Sequence, residues 1–131
     1  MLSVIVPCLV LSEDLLEQAK KAIRSVKLPN VELILVDNGS TVGSAFLQDT
    51  ADIYIRYPNK IGFGAACNAG INLSHGDYIA ICSIDNEYLE ETINDLALIY
   101  EEGRNHDLGV LCPSMTNKGQ AKTNELFLNQ T

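Results

Sequence analysis

The chain has 131 residues, enough for one domain with a core of its own, and its 47% hydrophobic and 20% charged residues are ordinary for a globular protein. A formal net charge of −8 excludes a broad basic surface of the kind that binds nucleic acid or anionic membrane. No apolar run reaches the ~18 residues that would span a bilayer.

Met1–Leu11 is apolar, yet it lacks a basic start and Pro7 interrupts it. Ser12-Glu13-Asp14 follows where a signal peptide would carry small residues for cleavage. Cys8, Cys67, Cys82 and Cys112 show no C-x-x-C spacing and sit in apolar surroundings. They read as reduced structural thiols, which suits a cytoplasmic protein.

Leu2–Val6 is a β-branched run and predicts a buried strand ending at Pro7. Ser12 offers an N-cap, and Glu13 and Asp14 suit the first turn of a helix over Glu13–Val26. Leu15, Leu16, Ala19, Ala22, Ile23 and Val26 give that helix one apolar face. Val31–Val36 is a second buried strand, and Asp37-Asn38-Gly39-Ser40 is a strong turn signal. Gly43–Asp49 reads as a short helix and Ala51–Arg56 as a third strand. Gly62–Leu73 is a helix of small residues, stopped by Ser74-His75-Gly76.

Asp77–Cys82 is a fourth strand, Glu87–Glu102 an amphipathic helix ended by Gly103, and Leu108–Cys112 a fifth strand closed by Pro113. Asn117-Lys118-Gly119 reads as a hairpin turn with a polar tail beyond it. Strands and helices thus alternate with short connections. That order predicts an α/β fold: a mostly parallel, Rossmann-like sheet with helices on both faces.

In such sheets ligands sit beyond the carboxyl ends of the strands. Those ends are Pro7-Cys8, Asp37-Asn38, Tyr57-Pro58-Asn59 and Ser83-Asp85, so two carboxylates converge on one crevice. Asp37 reads either as an Asx-turn acid or as an acceptor for a ring N–H or a ribose hydroxyl. Gly62 and Gly64 either let backbone approach a ligand at a helix N-terminus or let that helix lie close to the sheet. Lys60 is a phosphate cation or a solvated loop residue. Asp85 could hold Mg2+ or Mn2+ beside substrate phosphates, and could equally cap the helix expected from Glu87. His75 sits in a helix-ending turn and His106 in a loop, and both read as structural or solvated.

The ordered motifs S-V-I-V-P, V-E-L-I-L-V-D-N-G-S-T and N-K-I-G-F-G-A-A-C-N-A-G-I-N-L-S-H-G-D-Y-I-A-I-C-S-I-D-N resemble the family 2 glycosyltransferases of the GT-A fold. The likeness is greatest to their rhamnosyltransferase-like branch and runs from Leu2 to about Gly119. It implies a single nucleotide-sugar-binding domain over residues 1–131, GT-A-like and truncated after the fifth strand and a hairpin. By the same resemblance Pro7 and Asp37 would line the nucleoside pocket, with Asp37 toward the base, and Asn38 would bind the nucleotide-sugar. Asn59, Lys60, Gly62 and Gly64 would border the nucleotide-sugar. Ser83 and Asp85 would occupy the D-x-D position, leaving Asp85 as the ligand for Mg2+ or Mn2+. The implied activity is inverting sugar transfer from a nucleoside diphosphate-sugar, with UDP- or dTDP-sugar favoured.

Three departures go with the resemblance. The first strand continues Pro7-Cys8-Leu9-Val10 where the family usually has P-T-Y-N. The first acid of D-x-D is Ser83. The acceptor-binding half, which carries the family's catalytic base, is expected to be absent, with Glu125 the one candidate substitute in the tail. Either the chain is the donor half of a larger enzyme, or another chain completes it, or it is a non-catalytic nucleotide-sugar-binding or interaction module descended from such an enzyme. An exposed sheet edge or apolar face left by a missing half would also favour a homo-oligomer.

Overall fold

The structure is a computed structural model and describes residues 1–101, 108–115 and 120–130, with side chains for 1–89 and 91–98. The elements are β1 (Leu2–Cys8), α1 (Glu13–Val26), β2 (Val31–Asp37), α2 (Ser44–Thr50), β3 (Ile53–Arg56), α3 (Phe63–Leu73), β4 (Tyr78–Ile81), β5 (Glu87–Tyr88), α4 (Glu90–Glu101), β6 (Leu108–Met115) and β7 (Gln120–Gln130). Strands β3-β2-β1-β4 form one parallel sheet, with Ile5 opposite Ile34 on one side and Ile81 on the other. The chain winds outward from β1 to β3, then crosses back to β4. The strand order therefore reverses between β1 and β4, the place where open parallel sheets leave a crevice.

Alternation along the strands divides the core into two layers. Val4, Val6, Leu33 and Leu35 pack with Leu16, Ala19, Ile23 and Val26 of α1, Leu47 of α2 and Ile93 of α4. Ile5, Ile34 and Val36 face the other way and meet Ala66 of α3. Helices thus cover both faces. Helix α1 starts where its sequence says it should. The Ser12 hydroxyl accepts from the Leu15 N–H at 3.2 Å, and Glu13 and Asp14 occupy the first turn. Its buried Leu16, Ile23 and Val26 each contribute about 1.5–3 kcal/mol of transfer free energy.

Pro7 does not end the first strand, which continues to Cys8. The Ile5 carbonyl accepts from Cys82 N–H and the Cys8 carbonyl from Asn38 N–H. By alternation the Pro7 nitrogen faces the β4 side, where pairing has already stopped at Ile81. The missing N–H therefore removes no ladder bond.

Two other expectations change. The helix expected from Glu87 begins at Glu90, because Glu87–Tyr88 is drawn into a short strand. There the Tyr88 N–H donates to Ser25 Oγ on α1 at 2.9 Å, and the Tyr88 hydroxyl accepts from the Ser83 N–H at 3.2 Å. The fifth strand does not extend the parallel sheet. As β6 it runs through Pro113 and pairs antiparallel with β7, the expected polar tail, in a second sheet of order β5-β7-β6. Segments this close in sequence pair at small loop-closure cost. The turn expected at Asn117-Lys118-Gly119, and also Gly103 and His106, lie outside the described residues.

Helix α3 lies close on the sheet because of Gly70. A Cβ there would come 2.5 Å from Ile5 Cγ2 and 3.3 Å from Val36 Cγ2, both on buried side chains. Gly62 and Gly64 have open space instead. Gly70→Ala should cost about 1–3 kcal/mol through overpacking. Gly64→Ala should stay within about 0.5 kcal/mol. Urea denaturation of the two variants would check this, and equal stability of both would refute the packing role of Gly70.

Candidate functional site

The carboxyl end of the parallel sheet is built around Asp37, whose side chain is 0% exposed. Its Oδ1 accepts from Ser40 N–H at 2.8 Å. Its Oδ2 accepts from the Tyr54 hydroxyl and from Arg56 Nη1, the latter at 2.7 Å. Burial alone would push the Asp37 carboxyl up. The donations from Tyr54, Ser40 and Arg56 outweigh that and hold it below the usual carboxylate range. Burial and the Asp37 charge raise the Tyr54 phenol, so it stays a donor. The carboxylate is thus an Asx-turn acid and an ion-pair partner at once.

From Asp37 the crevice wall is knitted loop by loop. Ser40 Oγ accepts from Val10 N–H at 2.9 Å, which fastens the turn after β2 to the segment after β1. Tyr57 N–H donates to the Asp37 carbonyl at 2.8 Å, fastening the end of β3. The Asn38 amide makes a reciprocal pair with Ile61, donating to its carbonyl and accepting from its N–H, each at 2.7 Å. That pair fixes the loop leading into α3. Gly39 at φ 97° turns the chain there, and a Cβ on it would come 3.2 Å from the Pro58 carbonyl oxygen.

Helix α3 opens at Gly62 with no side-chain cap, so its first N–H groups point outward at the carboxyl end of the sheet. Asn59, Lys60, Gly62 and Gly64 are all exposed there, as is Phe63 at 65%. The packing alternative for Gly62 and Gly64 fails, since that role falls to Gly70. Pro7 is half-buried at the end of β1.

Ser83 and Asp85 follow β4. Asp85 N–H donates to Ser83 Oγ at 3.0 Å, leaving the Asp85 carboxylate exposed. The N-cap alternative for Asp85 fails, because α4 begins at Glu90. Among the described residues, no three His, Cys, Asp or Glu side chains gather to hold a metal. A divalent ion there would have to draw most of its ligands from substrate and water, which suits Mg2+ or Mn2+ and not zinc.

The other expected residues fall away from this end. His75 Nδ1 lies 2.8 Å from Glu32 Oε2, and Glu32 also accepts from Ser3 Oγ. This cluster lies at the opposite, amino end of the sheet and joins the start of β4 to β1 and β2. A concavity of about 640 Å3 opens nearby, lined in part by Glu32 and Asp52. Both carboxylates already have protein donors, Asp52 from Leu33 N–H and Lys27. Two acids make it a poor place for a diphosphate. Cys8, Cys67 and Cys82 are free and buried, and burial pushes the Cys82 thiol up to about 12, so they are inert structural thiols. The Glu125 and Cys112 side chains lie outside those described.

Tyr54 and Arg56 were not among the residues singled out from sequence. They come to the site through the pairing of β3 with β2, which sets them opposite Leu35 and Asp37 and leaves no local signal in either strand.

The family model "Glycosyl transferase family 2" matches residues 3–125. The chain belongs to this family. It is 29% identical over 133 residues to "Glycosyltransferase GlyG" of Streptococcus pneumoniae serotype 4 (strain ATCC BAA-334 / TIGR4), covering 97% of this chain and 43% of that protein. Its fold is similar to that of S. aureus TarS 1–349 in complex with UDP, with a TM-score of 0.69, 18% identity, and coverage of 88% of this chain and 36% of that one. It is also similar to mannosyltransferase PcManGT from Pyrobaculum calidifontis in complex with GDP-Man and Mn2+, with a TM-score of 0.64, 20% identity, and coverage of 88% and 35%. The chain therefore spans less than half the length of each of these relatives. The fold is that of the GT-A glycosyltransferases. No helix among the described residues is long and apolar enough to cross a membrane.

Asp37→Asn should lower stability by about 2–3 kcal/mol at neutral pH, the usual worth of hydrogen bonds to a buried charge. The folded state depresses this carboxyl, so its contribution is present above the unfolded value of about 4 and fades as pH falls toward the folded one. Denaturation of wild type and variant between pH 7 and pH 2.5 should show the gap narrowing below about pH 4. A gap independent of pH would contradict the charged role.

Proposed function

We propose that this chain is the donor-binding part of a glycosyltransferase that takes a nucleoside diphosphate-sugar with Mg2+ or Mn2+ for inverting transfer. The observation that carries the reading is convergence. The loops after β1, β2 and β3 are hydrogen-bonded into one wall at the carboxyl end of the sheet. The uncapped start of α3 and the exposed Asp85 open at the same end. Family membership supports transfer chemistry, and the relatives' complexes with UDP and with GDP-Man and Mn2+ support the ligand class.

In this reading Pro7, Asp37 and Asn38 shape the nucleoside end. Asn59, Lys60, Gly62 and Gly64 border the diphosphate, with N–H groups of α3 and the Lys60 ammonium offsetting its charge. Ser83 sets the turn that presents Asp85. A divalent ion held by Asp85, when bound, neutralises the diphosphate and eases its departure. The acceptor and the base that takes its proton are supplied by further sequence or by another chain, since transfer needs a base within hydrogen-bond reach of the acceptor hydroxyl.

A second reading, binding without transfer, is favoured by one observation. The Ser83 hydroxyl, at the first D-x-D position, holds its own turn and brings no second acid.

Thermal unfolding with UDP or GDP, with and without Mn2+, tests the site. At 100 times Kd a ligand adds ~2.7 kcal/mol, a rise of several degrees in Tm. Asp85→Asn should keep the ligand-free Tm and lose the Mn2+-dependent part of the rise. No rise with any nucleotide in the folded protein would sink the proposal. Nucleotide binding without donor hydrolysis or transfer would select the second reading.

A further inference from the structure

Arg56 ends β3 with its side chain 39% exposed, while the carboxylate it binds is fully buried. Both oxygens of Asp37 have protein partners. A ligand arriving at the nucleoside end therefore meets Arg56 before it could meet Asp37. A guanidinium carries five N–H donors and no acceptor. Asp37 takes Nη1 and Tyr54 also bonds the guanidinium, yet the side chain keeps 39% of its surface exposed, one residue before the Tyr57 N–H that is tied to the Asp37 carbonyl. The fork's orientation is fixed from below by a buried acid that Tyr54 also holds. Its charge is balanced by Asp37, so it offers directed donors more than bulk attraction.

We infer that Arg56 reads the nucleobase of the donor through a keto oxygen, and that Asp37 and Tyr54 are positioning residues behind it. This inference rests on the donor-binding reading above. A fixed set of donors pairs with the oxygen at C4 of uracil or thymine or at C6 of guanine. At the same ring position cytosine and adenine carry an amino group, which meets the fork donor to donor. UDP and GDP should therefore bind about 10- to 100-fold more tightly than CDP and ADP.

The test is titration calorimetry of the whole chain with UDP, GDP, CDP and ADP, each with Mn2+. It is repeated on Arg56→Lys, which keeps a cation beside Asp37 but loses the fork, and on Tyr54→Phe. Wild type should rank the keto bases first. Arg56→Lys should level the ranking, whereas Tyr54→Phe should weaken all four and keep their order.

Because either variant could be too unstable to titrate, a second measurement uses wild type alone. Modification of Arg56 by phenylglyoxal, mapped by mass spectrometry, should be slowed by UDP and not by CDP at the same concentration. A wild type that binds all four alike, a ranking that survives Arg56→Lys, or labelling of Arg56 indifferent to UDP would overturn the role of Arg56 while leaving the donor site standing. Binding of none of the four would overturn both.

Discussion

A buried carboxylate at the end of a central strand is the constraint on which the crevice depends. Asp37 is enclosed at the close of β2, and an ionised acid in that position is costly unless donors surround it. Tyr54 and Arg56 of β3 and Ser40 of the turn after β2 supply those donors. The need to satisfy one charge therefore fixes the end of β3 and the turn after β2. Through Ser40 and Val10 it also fixes the segment after β1. The loops that would meet a ligand are held by a shared centre and do not depend on their own stiffness.

The parallel sheet supplies the rest of the geometry. Strands that run the same way put all their carboxyl ends on one side, and the reversal of strand order between β1 and β4 opens a gap there. Gly70 lets α3 lie against Ile5 and Val36, which delivers its uncapped N-terminus to that side. The sheet-facing Gly70 and the exposed Gly62 and Gly64 thus sit in different surroundings. Gly70 sets the distance to the core, and Gly62 and Gly64 leave the approach open. The amino end of the sheet shows the contrast. Its carboxylates, Glu32 and Asp52, are joined to donors from neighbouring elements and act as fasteners.

The described residues bring a hydrogen-bonded wall, an exposed acid and an uncapped helix start to one end of the sheet. These are the parts that a parallel sheet can collect at one end. The chain covers less than half of each relative.

Much of this was legible without a structure. Apolar runs and helix caps placed α1 over Glu13–Val26 and located the strands of the parallel sheet, because burial on both faces leaves a continuous aliphatic signature. The order of turns placed Asp37, Gly62–Gly64 and Asp85 at one end, because strand direction alone decides that. Pairing decided what the sequence could not. Pro7 stays in β1 because its nitrogen faces an edge where β4 has ended, a fact of register. Glu87–Tyr88 leaves the helix because Ser25 and Ser83, distant or turned in sequence, bind Tyr88. The role of Asp37 was open between turn acid and ligand group. Only the lateral register of β2 and β3 set Tyr54 and Arg56 against it, since contacts across a sheet carry no local signal in either strand.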